Sequence, residues 1–548
     1  MSIEAKGRGL LRLLGPAALA ASLLHAGGSA AEPQGAVPAA PQRAAAPAAP
    51  RRATPAAPEA PTKGGPARRV LALTVKEAIL RALHNNPDLE IQRIGIAIAS
   101  VGIDAARGEF DPLLFLNGSW SGNRDPFYSA PIPGTEITIG GLPPGLQTSQ
   151  ASVKAAEAGV RTKLITGTQV EAKYATERRT SESIFALSPQ YAPVATVSLT
   201  QPLLRGSGID VNRAYITIAE RSHQASREAF REQVIATALN VEVAYWDYVF
   251  ALENLKVAEQ ALATAEDLLA KNRTEFAFGR VAAIEVLVAE TGVATRKEAV
   301  ITARNEIENA RDRLMRLISP SRSSNEWDID LVALDAPRVV DSPVDFQRSY
   351  RTALERRPDY RQLLLALEAD AVREEQARNG RLPRLDLVGS YSQLGLGNSC
   401  DNSFDALTGG RFYDWSFGFV FEFPIFDTTP LATLEQARLA LKQDRKKLES
   451  LEMQIALEVR TSARNVSAAR ERITATEVAV RLAEQQLENE RQRQQAGLAT
   501  NHDVLLFVDE LTAARKNALK ARVDHQVARA RLAQVTATLL EQREISIE

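Results

Sequence analysis

The feature that most limits what this chain can fold into is a long internal repeat. Asn86-Pro87-Asp88 returns as Arg357-Pro358-Asp359 at an offset of 271 residues. The same offset aligns Ala82-Leu83 with Ala353-Leu354, Pro112 with Pro383, and Gly118-Ser119-Trp120-Ser121 with Gly389-Ser390-Tyr391-Ser392. Further on, Gln201-Pro202-Leu203-Leu204 returns as Phe423-Pro424-Ile425-Phe426 at offset 222. Gly279, Val286, Leu287, Ala303, Ala310 and Leu314 return as Gly497, Val504, Leu505, Ala521, Ala528 and Leu532 at offset 218. The first drop in offset, 49 residues, places an insertion in the first copy between Trp120 and Val197. Repeated units bury their surfaces against one another. We therefore expect two tandem structural repeats, 73–318 and 344–541, joined by an equatorial linker over 319–343, rather than the three or four domains that a length of 548 residues suggests.

Within each copy the hydrophobic period changes from two to seven. Leu114, Leu116 and Trp120 alternate with Phe115, Asn117 and Ser119, and the second copy sets Leu385, Leu387 and Tyr391 against Asp386, Val388 and Ser390. The partner stretches agree: Val197 and Leu199 alternate with Ser198 and Thr200, and Phe417, Phe419 and Phe421 alternate with Ser416, Gly418 and Val420. Period two with one apolar face is the signature of a strand. A soluble sheet needs a layer over that face, whereas a face turned to lipid requires a closed barrel with its polar residues in the lumen. Both a small soluble sheet and a barrel satisfy the strands alone. The inserted stretch alternates too, as Val160, Thr162, Leu164 and then Val170, Ala172, Tyr174 around Thr166-Gly167, which predicts an extra hairpin that either widens the barrel or stands above it.

The strands lead into rods. No Pro or Gly interrupts residues 212–276, and Val241, Tyr248, Leu255, Leu262 and Leu269 recur every seven residues, with Ala244, Ala251, Ala258 and Ala265 beside them. The second copy repeats the seam as Val459, Val466, Ile473, Val480 and Leu487, with Ser462, Ala469, Thr476 and Ala483. Such a seam of large and small residues suits closely packed helices. The second rod is expected to start at Thr429-Pro430, a cap oxygen followed by proline at the first helical position. Each rod of about 65 residues is roughly 97 Å long. Glycines at 279 and 497 end the rods, and further helices are expected over about Ile284 to Ile318 and His502 to Leu540, with shorter ones near Leu89 to Arg107 and Tyr360 to Asn379.

Several function classes are excluded by residue counts. Lys plus Arg number 66 against 67 Asp plus Glu, a net charge of −1, which removes the electrostatic case for nucleic acid. The single Cys400 cannot form an internal disulfide, the five histidines stand at no metal-ligand spacing, and no HExxH or GxSxG occurs. No enzyme, cofactor or metal is expected, and Arg205-Gly206-Ser207-Gly208 reads as a strand-to-helix turn. At the N-terminus, Lys6, Arg8 and Arg12 precede an apolar stretch and Ser29-Ala30-Ala31, so 1–31 is read as a secretory signal peptide. Residues 32–69, rich in Pro and Ala, read as a disordered tether.

Taken in order and twice over, these motifs resemble the outer-membrane efflux protein family, the TolC-like ducts, across about Leu73 to Leu540. The carriers are Asn86-Pro87-Asp88 with Arg357-Pro358-Asp359, the strand exits at Gln201 and Phe423, and Gly497-Leu498-Ala499-Thr500 running into Asp503-Val504-Leu505. The resemblance implies a mainly α protein with a β-barrel portion: a homotrimer giving four strands per chain to a twelve-stranded outer-membrane barrel continued by a long periplasmic α-helical barrel. It implies passive export with an inner-membrane pump, proton-driven or ATP-driven, and a periplasmic adaptor that docks on the tips at Gly279, Gly497 and Leu498. Leu114, Leu116, Trp120, Val197, Leu199, Leu385, Leu387, Tyr391, Phe417, Phe419 and Phe421 would then face outer-membrane lipid. It further implies that Asp503 forms a selective ring at the periplasmic entrance, with Leu506 at the family's second ring position, and that Glu285 helps hold the entrance shut. Thr500 and Asp503 also match a capping box, which by itself accounts for an acid there. The alternative from a different class is a non-transporting periplasmic or surface coiled-coil scaffold.

Overall fold

The computed structural model describes residues 69–130, 133–135, 145–181, 187–319, 329–339 and 344–546. The signal-peptide and tether expectations, apart from residue 69, lie outside them, as does most of the linker. The chain opens with β1 (Arg69–Leu73), then α1 (Val75–Asn85) and α2 (Pro87–Arg107). Thr74 and Glu77 form a reciprocal capping box at the start of α1, whose Val75, Ala78, Ile79 and Ala82 are buried at helical spacing. Pro87 ends α1, because the residue before a proline is driven out of the helical region. Asn86 is accordingly extended, and its side chain accepts the Asp88 amide at 2.8 Å to start α2.

Four strands follow: β2 (Leu113–Ser129), β3 (Gly145–Lys163), β4 (Gln169–Ser181) and β5 (Gln190–Pro202). A single turn, α3 (Ile209–Asn212), leads into the 64-residue α4 (Ala214–Ala277), which is about 96 Å long. The chain returns as α5 (Ala283–Ile318) and crosses through β6 (Ile329–Ala333). The second half runs α6 (Phe346–Arg356), α7 (Pro358–Gly380), β7 (Arg384–Leu394), α8 (Cys400–Thr408), β8 (Tyr413–Glu422), the 67-residue α9 (Thr429–Gln495), α10 (Asn501–Val535) and a final turn α11 (Leu539–Gln542). No helix among the described residues is long and apolar enough to cross a membrane.

The sheet departs from the four strands per chain that the resemblance implies. Its order is β2-β3-β4-β5-β7-β8, six strands, with the inserted hairpin between β2 and β5. The sequence could announce the hairpin but not its neighbours, because those pairings are settled by contacts between distant residues.

Other local differences have identifiable causes. At the start of α9 the capping oxygen belongs to Asp427, whose Oδ1 accepts the Thr429 amide at 3.0 Å. The rod therefore begins one residue earlier than a cap at Thr429 would place it. Between β7 and β8, Cys400 is the exposed first residue of α8, which Ser399 caps and whose Leu407 is buried. The last long helix stops at Val535 rather than continuing to Leu540, because Ala537 takes φ 54. This turns the chain so that Leu539, Leu540 and Ile545 fold back into the core. Of the predicted first seam, Val241 and Tyr248 are buried, whereas Leu255, Leu262 and Leu269 are half-buried beside a stripe at Ala261, Ala265 and Leu268. A straight helix drifts relative to a strict seven-residue repeat.

The main core sits at the waist of the rods, where β1 and β6 form a two-stranded parallel sheet against α4. Tyr245 donates to the Leu73 carbonyl and accepts the Asp335 amide, both at 3.1 Å, and Tyr248 donates to Leu331 O at 2.6 Å. Burial pushes the Tyr245 hydroxyl up to about 12. In Tyr245→Phe, Leu73 O keeps the Leu334 amide at 3.0 Å, so the group that loses its acceptor is Asp335 N–H. We expect a loss of about 1 to 3 kcal/mol, read as a lower guanidinium midpoint of the purified protein.

Candidate functional site

Two regions concentrate the candidate residues: the sheet at one end of the rods and the helix tips at the other. In an antiparallel ladder, directly opposed residues point to the same face. Leu114 opposes Val160, which opposes Ala172, and Leu116 opposes Ala158, which opposes Tyr174. Ala172 opposes Val197 and Val170 opposes Leu199; Val197 opposes Tyr391, and Tyr391 opposes Trp415. Leu387 and Leu385 oppose Phe419 and Phe421, while Gly389 opposes Phe417. The register thus places all eleven strand residues singled out by alternation on one face. Leu114, Trp120, Phe417 and Phe419 are each 71–77% exposed on it. The opposite face carries Ser119, Thr196, Ser198, Ser390, Ser392 and Ser416, with Thr196 and Ser392 bonded at 2.9 Å and Ser390 and Ser416 at 2.8 Å.

Both rod ends share one geometry. Gly279 has φ 68 and Gly497 φ 75, a conformation that costs glycine little. Around Gly279 the Arg280 amide donates to Glu275 O and the Gly279 amide to Phe276 O. Around Gly497 the Leu498 amide donates to Arg493 O and the Gly497 amide to Gln494 O. These paired bonds are Schellman caps. Exposed apolar side chains gather around each glycine: Leu498 at 69% in the second loop with Leu506 on the first turns of α10, and Phe278 at 70% just before Gly279 with Ile284 and Leu287 on the first turns of α5. The sequence reading missed Phe278, Ile284 and Leu287. The available signal, a large apolar residue next to a helix-ending glycine, pointed to Phe278 alone.

The two acids near the tips have different partners. Thr500 and Asp503 form a capping box: Asp503 Oδ2 accepts the Thr500 amide at 2.9 Å and the Thr500 hydroxyl at 2.7 Å, and Thr500 Oγ1 accepts the Asp503 amide. These bonds, first that from the Thr500 amide, hold the Asp503 carboxyl below its ordinary value of 3.8. Glu285 instead accepts from Asn501 Nδ2 at 2.6 Å, and the buried Asn501 also bonds Gln494. Glu285 thereby ties the first tip to the second and does not bond Asp503.

Above this tie lies a polar clamp on Arg296 that no spacing of residues announces. Its side chain, 7% exposed, donates to Gly292 O at 3.0 Å, Leu505 O at 2.9 Å and Asp509 at 2.7 Å, bridging α5 to α10. Gly292 permits the approach, since a Cβ there would lie 2.8 Å from a Leu505 methyl. Near the waist, burial acts to lower the Arg357 pKa, but hydrogen bonds to Asp359 and Glu458 of α9 outweigh it and raise the value.

A family model described as outer membrane efflux protein matches residues 142–319 and 349–538. No curated protein matches the chain significantly. Among solved structures it is similar to CusC, in crystal structures concerned with folding and transmembrane channel formation, at 18% identity and TM-score 0.60 over 87% of this chain and 94% of that one. The Campylobacter jejuni CmeC outer membrane channel is 17% identical with TM-score 0.58, over 85% and 86% of the two chains. The open state of the Neisseria gonorrhoeae MtrE outer membrane channel is 18% identical with TM-score 0.59, over 85% and 89%. At these identities the likeness is one of fold.

Proposed function

The chain belongs to the outer membrane efflux protein family, and from that premise we propose that it is the outer-membrane exit duct of a tripartite efflux or type I secretion system. Three copies would surround one axis, their sheets closing a barrel in the outer membrane and their helices continuing it through the periplasm. The two halves would act as tandem repeats, a reading supported by the same order of paired helices, strands, rod and return helix in each. The duct is passive. A periplasmic adaptor docks at the tip loops and an inner-membrane pump supplies the energy.

The observation that carries this reading is the single apolar face running across all six strands with Phe417, Phe419 and Phe421 bare upon it. Lipid accepts such side chains, provided that every strand backbone is paired in a closed barrel. A coiled-coil scaffold explains the rods but leaves this face without a role. Heat-resistant trimers in an outer-membrane fraction are the expected result, and a monomeric periplasmic protein would return the scaffold.

At the far end, threefold symmetry would gather three Asp503 carboxylates, whose summed field attracts cations, multivalent ones most strongly. Trimers in planar bilayers should be cation-selective and blocked by trivalent cations added from the periplasmic side, and Asp503→Asn should weaken the block several-fold. The Thr500 bonds favour the charged carboxylate, and the block should be lost on acidification as these carboxylates take up protons. An unchanged block in Asp503→Asn would leave this residue as a helix cap alone.

A further inference from the structure

The inserted hairpin is an integral part of the six-stranded sheet. It holds the second and third places in the sheet, with β3 on β2 from Leu113 to Ser129 and β4 on β5 from Gln169 to Arg179. Its outward row, Ala156, Ala158 and Val160 on β3 with Val170, Ala172 and Tyr174 on β4, continues the apolar face of the flanking strands. That row ends where Lys154 lies 4.8 Å over the Trp120 ring and Arg178 lies 5.8 Å over the Tyr191 ring. Aromatic and basic groups so placed suit a membrane–water interface. The inward row is charged: Glu157 and Arg161 on β3, with Glu171, Lys173, Glu177 and Arg179 on β4. A hairpin standing in water above the membrane has no need of this division.

The hairpin turn is seated where the strands pass into the rods. Gly167 has φ 92, and a Cβ there would collide with the Gly206 carbonyl and lie 2.8 Å from Asn212 Nδ2. Thr168 bonds Gln201, Lys163 pairs with Glu109 at 2.6 Å, and Thr162 donates to Phe110 O at 2.9 Å. The strand-to-helix junction and the turn are therefore one packed unit.

The edges of the sheet fit a second copy of the same chain. All neighbours are antiparallel, so with six strands the two edges, β2 and β8, run in opposite directions. Every residue of β8 is exposed. Joining β8 of one copy to β2 of the next keeps the alternation antiparallel and the apolar face outside, and in lipid the unpaired edges could not persist.

We propose that three copies close an eighteen-stranded barrel through β8-to-β2 pairing, with the β3–β4 hairpin in its wall and its charged row lining the lumen. The count of three rests on the duct reading above. With strands about 4.8 Å apart and tilted by about 40°, eighteen strands give a backbone diameter of about 36 Å, against about 24 Å for twelve. The outer end of the duct would then be about 1.5-fold wider than a twelve-stranded wall allows.

The test uses the full chain in a Cys400→Ser background. Oxidation of outer membranes should cross-link Ser119→Cys to Ala155→Cys and, in a second variant, Ala175→Cys to Val194→Cys, both within one chain of a trimer. Electron cryo-microscopy of the unmodified trimer should show eighteen strands. Twelve strands, or cross-linking of Ser119→Cys to Ser198→Cys in place of the first two pairs, would put the hairpin outside the wall and overturn the inference while leaving the duct standing. Absence of any membrane trimer would overturn the duct reading and the inference with it.

Discussion

Phe419→Arg and Leu116→Arg should each sharply reduce the amount of heat-resistant trimer recovered from the outer membrane. Both side chains lie on the apolar face, 74% and 59% exposed. An arginine turned to lipid costs about 2 to 4 kcal/mol near the bilayer midplane, a factor of about 30 to 700 in each chain's folding equilibrium. Ser119→Arg and Ser198→Arg provide the contrast, because Ser119 opposes Ala155 and Ser198 opposes Ser390 on the other face. A guanidinium there remains in water, so the trimer should form in normal amounts while single-channel conductance and ion selectivity change. Equal trimer yields from all four variants would show that the face assigned to lipid is wrong.

Gly497→Val and Gly279→Val should abolish export while leaving the protein in the membrane. A Cβ at either position meets nothing within 4 Å, so crowding is not the difficulty. The difficulty is the backbone: with φ at 75 and 68 a β-branched residue is strained by about 1 to 2 kcal/mol. The simplest relief is to abandon the Schellman cap and redirect the loop that carries Leu498 or Phe278. Stability should fall little, since these loops contribute no buried side chain to the cores. Asparagine tolerates the left-handed region better, so Gly497→Asn should restore much of the export lost in Gly497→Val. A crosslinker at Leu498 should capture the adaptor in cells that export. Normal export by Gly497→Val, or no adaptor captured from Leu498 where export works, would remove the tips from the docking site.

What the sequence could specify by itself was local. Alternation at Leu114, Leu116 and Trp120 needs only the two-residue period of a strand, and the residues it singled out in β2, β5, β7 and β8 share one face of the sheet. The glycines at 279 and 497 marked the rod ends because few other residues adopt their φ cheaply. Thr500 and Asp503 announced their capping box because its partners lie three residues apart. The candidate site at the tips was thus legible in its backbone and its cap, but not in its side-chain ties. Asn501 reaches Glu285 across 216 residues of sequence, and Arg296 reaches Asp509 across 213.

The tertiary structure alone decided which elements meet. The parallel pairing of β1 with β6 joins two five-residue strands about 260 residues apart, a ladder too short for its own pattern to reveal. The seating of Gly167 against Gly206 depends on where β5 ends relative to the hairpin turn. Above all, the hairpin's place between β2 and β5 was open in the sequence and closed in the fold. Side-chain alternation fixes which face a residue occupies, whereas strand order depends on backbone bonds that any strand can make. Only the combined packing of turn, junction and neighbouring strands selects one order from among them.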